Sequence, residues 1–577
     1  MVSRSLCAFT LRAVAAACAV LSVPSISFAQ SNPSAPQPFI EELRQQERER
    51  ALREQQERSV DTRLQAPVPV ETRRLPEAEM PCFTIHRIVL EGERSEDFQW
   101  ALHAIGGPAG DDAPRGRCLG TEGVNIVLAR AQQAVIARGY VTTRVLAGAQ
   151  DLTLGTLALT LIPGRIAAIR LADAEGSRTS LRTAIPARPG DLLNIRDIEQ
   201  GLENLKRAPT AEADIQIEPS AAPDARPGDS DLVVRYSQRL PLRTTLSLDD
   251  GGTEATGRTQ AGLTLAWDNP LGLNDLFYAS LNHDAFNHSG QGTSGQTVHY
   301  SVPYGQWLLG LTASRSDYHQ SVAGYSEDYV YAGESDNAEV RLSRLLYRDQ
   351  SRKTTLSLRG FRRESHNYID DTEIEVQQRL VGGWGVGLNH REFIGSATLD
   401  ANLAYQRGTG AFGAIPAPEE DFDEGTSRMR LFTADLALNV PFVLGEHKLR
   451  YAGLWRAQWN RTPLTPQDRF SIGGRYTVRG FDGESSLLGD RGWLVRNDLG
   501  WSLADTGAEL YAGIDYGQVG GPSARQLRGN HLAGAVVGVR GGWKGLGYDF
   551  FVGAPIWRPE GFQTARVTAG FNLNFSF

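Results

Sequence analysis

From about residue 240 onward the chain repeats one pattern: segments of about 10 residues in which apolar and polar side chains alternate, separated by turn residues. A period of two puts the apolar set on one face of an extended strand and the polar set on the other. The last segment is the cleanest. Val567, Ala569, Phe571, Leu573, Phe575 and Phe577 share one face, while Arg566, Thr568, Asn572, Asn574 and Ser576 share the other. Segments of this kind lie near residues 243, 259, 275, 296, 307, 337, 351, 380, 396, 429, 447, 493, 508, 531, 546 and 565, which makes 16. Their connections alternate in length. The long ones fall near 251–258, 285–295, 318–336, 366–373, 409–427, 461–491, 519–530 and 558–564, and those between are as brief as Leu444-Gly445-Glu446. An even number of antiparallel strands, with long loops at one end and short turns at the other, is the pattern of a transmembrane barrel.

Composition fits that reading and closes others. Only 41% of the 577 residues are hydrophobic, and no run of 18 or more apolar residues exists to form a spanning helix. A lipid-facing band with a polar lumen needs only half of each strand to be apolar, which reconciles membrane insertion with a mean hydropathy of -0.31. Trp455, Trp459, Trp493 and Trp501 fall on apolar phases, where interfacial rings belong, and the lumen phases carry Lys448, Arg450, Arg456, Arg496 and Asp498. The net charge of -8 argues against a nucleic-acid partner.

Residues 1–29 read as a secretory leader. Arg4 and Arg12 supply the positive start, Ala13 to Val23 the apolar core, and Ser27-Phe28-Ala29 the cleavage site before Gln30. Cleavage removes Cys7 and Cys18, leaving Cys82 and Cys118, which an oxidising compartment would pair. No His or Cys with suitable spacing stands near them, so no metal site is expected. Residues 38–58 are helix-forming and almost free of apolar side chains after Leu43, with Glu49/Arg53 and Glu54/Arg58 in favourable i,i+4 order. A helix polar all round stands in water or in a polar enclosure, and about 20 residues reach about 30 Å, the thickness of a bilayer core. Pro67, Pro69 and Pro76 mark residues 59–78 as an extended linker.

Residues 79–238 are mixed α/β. A strand with Phe83, Ile85, Ile88 and Leu90 precedes a helix at Gly123–Arg138, then strands at Tyr140–Leu146 and Leu152–Ile162. The order recurs as a strand at Arg165–Ala172, a helix at Ile195–Arg207, and strands at Asp214–Glu218 and Asp231–Tyr236. Two small domains in tandem account for this.

Catalytic motifs are absent: the chain holds no GxSxG, HExxH or GxxxxGK[ST]. His283 and His288 are expected in a solvated loop, and the acidic run Glu419–Glu424 on an exposed loop face. One connection stands out. Residues 470–483, FSIGGRYTVRGFDG, carry Ile472, Tyr476, Val478 and Phe481, too apolar for an exposed loop, so the loop is expected to fold into the lumen. Arg479 would then need a buried carboxylate. On the strand Glu509–Val519, Leu510, Ala512, Ile514 and Tyr516 take the lipid phase, which leaves Tyr511, Gly513, Asp515 and Gly517 inside. Glycines on either side of Asp515 leave room for a loop to approach the wall.

These residues resemble a known family. Val478-Arg479-Gly480-Phe481 is similar to the loop signature of outer-membrane insertases and two-partner-secretion transporters, and Tyr511-x-Gly513-x-Asp515-x-Gly517 resembles its barrel-wall partner, with Tyr511 where many relatives carry Phe. Cys82-Phe83, Gly116-Arg117-Cys118-Leu119 and Arg138 to Arg144 resemble the first polypeptide-transport-associated (POTRA) domain of haemolysin-activator transporters, and Asp268 to Asp275 their turn after the second strand. The resemblance implies a membrane β-barrel of 16 antiparallel strands preceded by two small α/β POTRA domains and an N-terminal helix. It divides the chain into a signal peptide (1–29), plug helix and linker (30–78), POTRA domains (79–163 and 164–239) and barrel (240–577). It implies a bacterial outer-membrane transporter, not an enzyme and without cofactors, with periplasmic POTRA domains. Such a transporter secretes one large, unfolded β-helical exoprotein of the TpsA type, in the haemolysin, adhesin or contact-inhibition toxin class. Its other partners would be outer-membrane lipid and the barrel-assembly machinery; a passive porin or a barrel-protein insertase is the alternative.

Overall fold

The computed structural model describes residues 38–57, 60–64, 71–173, 177–286, 291–323, 328–503 and 506–577. The leader at 1–29, Arg58 and His288 lie outside the described residues. Sixteen antiparallel strands form the wall: β1 (Leu242–Asp249), β2 (Gln260–Asp268), β3 (Leu276–Asp284), β4 (Gly292–Tyr304), β5 (Trp307–Ala323), β6 (Asp328–Arg348), β7 (Arg352–Ile369) and β8 (Arg379–Ile394). They continue as β9 (Ala397–Thr409), β10 (Arg430–Leu444), β11 (His447–Asn460), β12 (Arg491–Ser502), β13 (Ala508–Gly520), β14 (His531–Trp543), β15 (Leu546–Trp557) and β16 (Thr568–Ser576).

Each strand pairs with its neighbours, and β16 pairs with β1 to close the barrel. Closure leaves no open edge, so every ladder donor and acceptor at membrane depth has a partner without water. The outward phase is apolar and exposed, as at Leu265, Leu403, Ile514 and Val537. The ladders are unequal. β5 and β6 match from Trp307↔Arg344 to Ala323↔Asp328, while β16 and β1 match only from Asn572↔Asp249 to Ser576↔Thr245. The closing seam is the short one.

Two small sheets precede the wall. In the first, Arg87–Gly92, Thr156–Ile162 and Arg144–Leu146 lie side by side with Thr156–Ile162 in the middle. Helix α2 (Thr121–Ala137) packs Ile126, Val127, Ala131 and Val135 into this unit's core. The strand expected at Tyr140–Leu146 is shortened to Arg144–Leu146, because Tyr140 packs its ring edge-on to Phe98, 4.8 Å away. Cys82 and Cys118 are disulfide-bonded, 36 residues apart in sequence. In the second sheet Asp229–Gln238 runs between Arg165–Leu171 and Ala211–Pro219, covered by α3 (Ile195–Leu205). Asn194 caps α3, its side chain accepting from the Arg196 N–H at 2.9 Å.

The turn between β2 and β3 fastens the second unit to the wall. Asn269 and Asn274 adopt positive φ (59° and 62°), and Asp275 accepts from the Leu271 and Leu273 N–H groups. Outward from this tight turn, Asn274 donates to the Ser180 carbonyl (2.8 Å), and Asp268 accepts from the Thr210 hydroxyl (2.9 Å) and Arg243 (3.0 Å). The sequence Asp268 to Asp275 is therefore a joint.

The first unit has a buried ion pair at its centre. Asp112 accepts from Arg130 (2.6 Å), Arg117 (2.5 Å) and the Leu75 N–H (2.8 Å). Burial alone would raise its pKa, but the Arg130, Leu75 and Arg117 bonds outweigh burial and hold it down at about 2. A depressed carboxylate contributes stability above its unfolded value of about 3.9 and loses it as pH falls through the folded value. Hydrogen exchange at Leu75 and in α2 should accelerate as pH falls from about 4 to 2 once intrinsic rates are divided out, and Asp112→Asn should be weaker at neutral pH and flat across that window. Replacing Cys82 and Cys118 by Ser should destabilise the unit by roughly 3–4 kcal/mol on the chain-entropy scale, read as a lower denaturation midpoint. Free-thiol labelling of the denatured, unreduced protein should find no reactive thiol at either position.

Candidate functional site

The candidate site is the lumen and what fills it. Helix α1 (Pro38–Gln56) crosses the inside of the barrel, and its charged side chains find partners on many strands. Glu47 meets Arg456 (2.7 Å), Arg50 meets Asp435 (3.1 Å), Arg53 meets Glu339 (3.3 Å) and Arg48 donates to Gln260 (2.9 Å). At the periplasmic end Gln56 accepts from Arg243 (3.2 Å), and Glu57 lies 3.3 Å from His299. The enclosure that a polar helix requires is thus the lumen itself. Of the helical pairs expected, Glu49/Arg53 is replaced by Arg53 with Glu57 (3.8 Å) and Glu339, because the wall offers carboxylates the isolated helix lacks. A cavity of about 680 Å³ remains between helix, wall and loop.

The loop joining β11 and β12 folds inward as expected. Phe470, Ile472, Val478, Phe481 and Leu487 pack against Leu494, Val519 and Leu532 of the wall. Phe481 sets its ring edge-on to Phe562 at 5.8 Å. Arg479, 5% exposed, makes a bidentate pair with Asp515, Nε–Oδ2 2.7 Å and Nη2–Oδ1 2.8 Å, and its own N–H donates to the same carboxylate at 3.0 Å. Gly513 and Gly517 supply the room. A methyl on Gly513 would lie 2.8 Å from Arg479 Nη2, and one on Gly517 2.8 Å from a Val478 methyl. Gly480 has φ +91°, a conformation that favours glycine, where the chain turns under the Ala554 carbonyl. Tyr511 stands one layer away, bonded to Asp549 (2.8 Å) beneath the Arg540 guanidinium.

The structure adds residues that sequence reasoning did not reach. Asp498 also binds Arg479 (Nη2–Oδ1 2.5 Å), because the ladder sets Asp498 opposite Gly513. Arg475 of the same loop binds Asp250 at the end of β1 (2.5 Å) and donates to the Phe571 carbonyl on β16 (2.7 Å), while the Phe571 N–H donates to Asp250 (2.9 Å). The loop therefore braces the short seam. Lower down, Glu199 and Glu203 of α3 accept from the N–H groups of Leu64 (2.8 Å) and Thr62 (3.1 Å) in the linker and from Arg348 of β6 (3.0 and 2.9 Å). The acidic run also differs from expectation. Glu419 pairs with Arg379 and Glu420 accepts from Thr426 (2.7 Å), although Asp421 to Glu424 stay exposed. His283 sits at the end of β3 against Asp284.

A closed 16-stranded barrel, its lumen occupied by its own helix and loop and its chain continuous with two small α/β units, defines a pore-forming protein of the outer membrane. Comparison supplies the lineage. The family described as haemolysin secretion/activation protein ShlB/FhaC/HecB matches residues 228–541, and two POTRA-domain families match 83–164 and 165–219. The chain is 40% identical over 467 residues to outer membrane transporter CdiB-2 of Burkholderia pseudomallei, covering 80% of this chain and 79% of that one. It is 25% identical over 406 residues to haemolysin transporter ShlB of Serratia marcescens, covering 70% and 71%. The structure of CdiB from Acinetobacter baumannii matches with a TM-score of 0.82 at 29% identity, over 94% of this chain and all of that one. The chain belongs to the ShlB/FhaC/HecB family of two-partner-secretion outer-membrane transporters, with POTRA domains in the periplasm.

Removing Arg479 takes the shared cation from Asp515 and Asp498. It leaves Arg496 3.8 Å from the first and Arg540 3.2 Å from the second, so the cost should fall below the roughly 3–5 kcal/mol of a fully uncompensated dry charge. Asp515→Ala leaves Arg479 its contacts with Asp498, so its cost should be smaller. Both variants keep their ladders and should still migrate as folded barrels on unheated gels, with Arg479→Ala losing the folded band at the lower temperature. The double variant should lose less than the two single losses combined; strict additivity would show that the side chains do not interact.

Proposed function

We propose that this transporter receives a large exoprotein of the TpsA type in unfolded form on the free strand edges of its POTRA domains and threads it through the barrel, and that folding outside the cell prevents its return. An extended chain adds to an open sheet edge through main-chain bonds that demand little of its sequence. Two edges suit this: Ala211–Pro219, nine residues paired on one side only, and the shorter Arg144–Leu146. In this reading residues 30–78 are plug and linker, 79–163 and 164–239 the receiving domains, and 240–577 the conduit. The barrel itself is inserted by the cell's barrel-assembly machinery. Threading needs no cofactor and no catalytic residue; Val478 to Phe481 and the Tyr511-Gly513-Asp515-Gly517 strand serve to seat the loop.

One observation carries the proposal: the lumen is filled by a helix whose charges are matched to the wall by partly solvated ion pairs, each worth about 0–1 kcal/mol. Such a plug can be displaced by a competing chain. Deleting residues 38–57 should raise ion conductance in planar bilayers severalfold, and unchanged conductance would show that the helix does not block the pore. With the exoprotein co-expressed, its appearance outside the cell should require this chain and should fall far more than barrel abundance in Arg479→Ala. Equal export without the chain would sink the transport reading in favour of a passive porin.

A further inference from the structure

The outer face of the wall that seats the loop carries a feature that transport does not use. At the extracellular ends of β12 to β15, Trp493, Tyr516, His531 and Trp557 form an unbroken run of rings across four neighbouring strands. Successive centroids are 5.3, 5.9 and 3.5 Å apart. Trp493 and Trp557 are exposed, so the run faces outward, above the lipid-facing Ile514, Val537 and Val552. In membrane barrels such rings mark the boundary between hydrocarbon and headgroups.

Cations stand immediately above that boundary. Arg491 lies two residues from Trp493 on the same face, Arg558 follows Trp557, and Arg525 and Arg528 occupy the connection between β13 and β14; all four are exposed. The two loops touch: a methyl on Gly529 would sit 2.9 Å from the Pro559 ring, and one on Gly561 3.7 Å from the Arg528 guanidinium. Arg558 is held by the Phe562 and Thr564 carbonyls (3.2 and 3.0 Å), which fix it without neutralising it. Glu560 is the only acidic residue in 521–530 and 558–567. None of the four arginines makes an ion pair among the described residues. Other rim arginines are neutralised, as Arg315 by Glu334 (2.7 Å) and Arg362 by Glu364 (2.6 Å).

We propose that this rim binds the phosphorylated saccharide headgroup of an outer-leaflet glycolipid, with the ring ladder against the head of its acyl chains and Arg491, Arg525, Arg528 and Arg558 around its phosphates. Guanidinium forks match phosphate geometry bidentately, and a cluster of unneutralised cations at headgroup height attracts anionic lipid. The site has a structural consequence. Asp498 and Asp515 lie on the inner face of β12 and β13, and Arg479 docks there. Lipid bound outside braces the same strands that hold the loop inside.

Native mass spectrometry of the full chain in mild detergent, titrated with lipid A, tests this. The unaltered protein should retain lipid A and should retain dephosphorylated lipid A and phosphatidylglycerol at least about tenfold less well. That arm needs no variant. Arg525→Gln/Arg528→Gln/Arg558→Gln should show the same tenfold loss while migrating as a folded barrel, whereas Arg428→Gln, at another exposed rim position, should bind as the unaltered protein does. Equal retention of dephosphorylated lipid A or of phosphatidylglycerol overturns the proposal, as does a triple variant that binds normally.

Discussion

One guanidinium inside the wall decides where the inward loop lies. A charge withdrawn from water must be matched by partners held in place, and Arg479 finds two carboxylates on adjacent strands with a glycine between them. Docking there commits the loop to the interior, and other contacts follow from it. Its tip offers the Gly483 carbonyl to Arg44 of the helix, and its Arg475 ties β1 to β16 where the ladder is shortest. Plug, loop and seam are thus connected, and the loop that joins them is hung from Asp515 and Asp498. The wall around it is stiff for an unrelated reason: closure satisfies each ladder bond.

The barrel was legible because membrane depth imposes a period of two that irregular loops cannot imitate, and because long and short connections sort the strands by side. Asp515 was legible as the partner of Arg479 because alternation put it inside and its flanking glycines implied a close approach. Asp498 was visible as a lumen residue, but its meeting with Arg479 depends on the register of β12 against β13, which no local pattern encodes. The same holds for Arg475 with Asp250, 225 residues apart, and for Glu199 and Glu203 with Arg348. Tyr140 is a smaller lesson of the same kind. Its segment reads as strand, yet a tertiary contact with Phe98 withdraws it from the sheet edge. Local pattern fixes element type; long-range packing fixes length and partner.

The strengths of these contacts are distributed in a way that bears on how the proposed gate would open. The helix is held by many ion pairs with wet side chains, which compete poorly with water and salt. The loop is held by a buried hub whose separation costs several kcal/mol. On the proposed mechanism the helix would therefore be the part that leaves first. Its tether, however, is shorter than the Pro-rich composition suggests, because Thr62 and Leu64 are already bound to Glu203 and Glu199 beside Arg348. From Glu57 to Thr62 the chain can span about 17 Å, whereas a helix of 19 residues must move about 28 Å to clear its own length. Withdrawal of the helix into the periplasm, on the proposed mechanism, requires the knot at Arg348 to open as well. That knot joins linker, second POTRA domain and wall. On the proposed mechanism, a substrate strand arriving at that domain would be placed to loosen the tether before it reaches the pore.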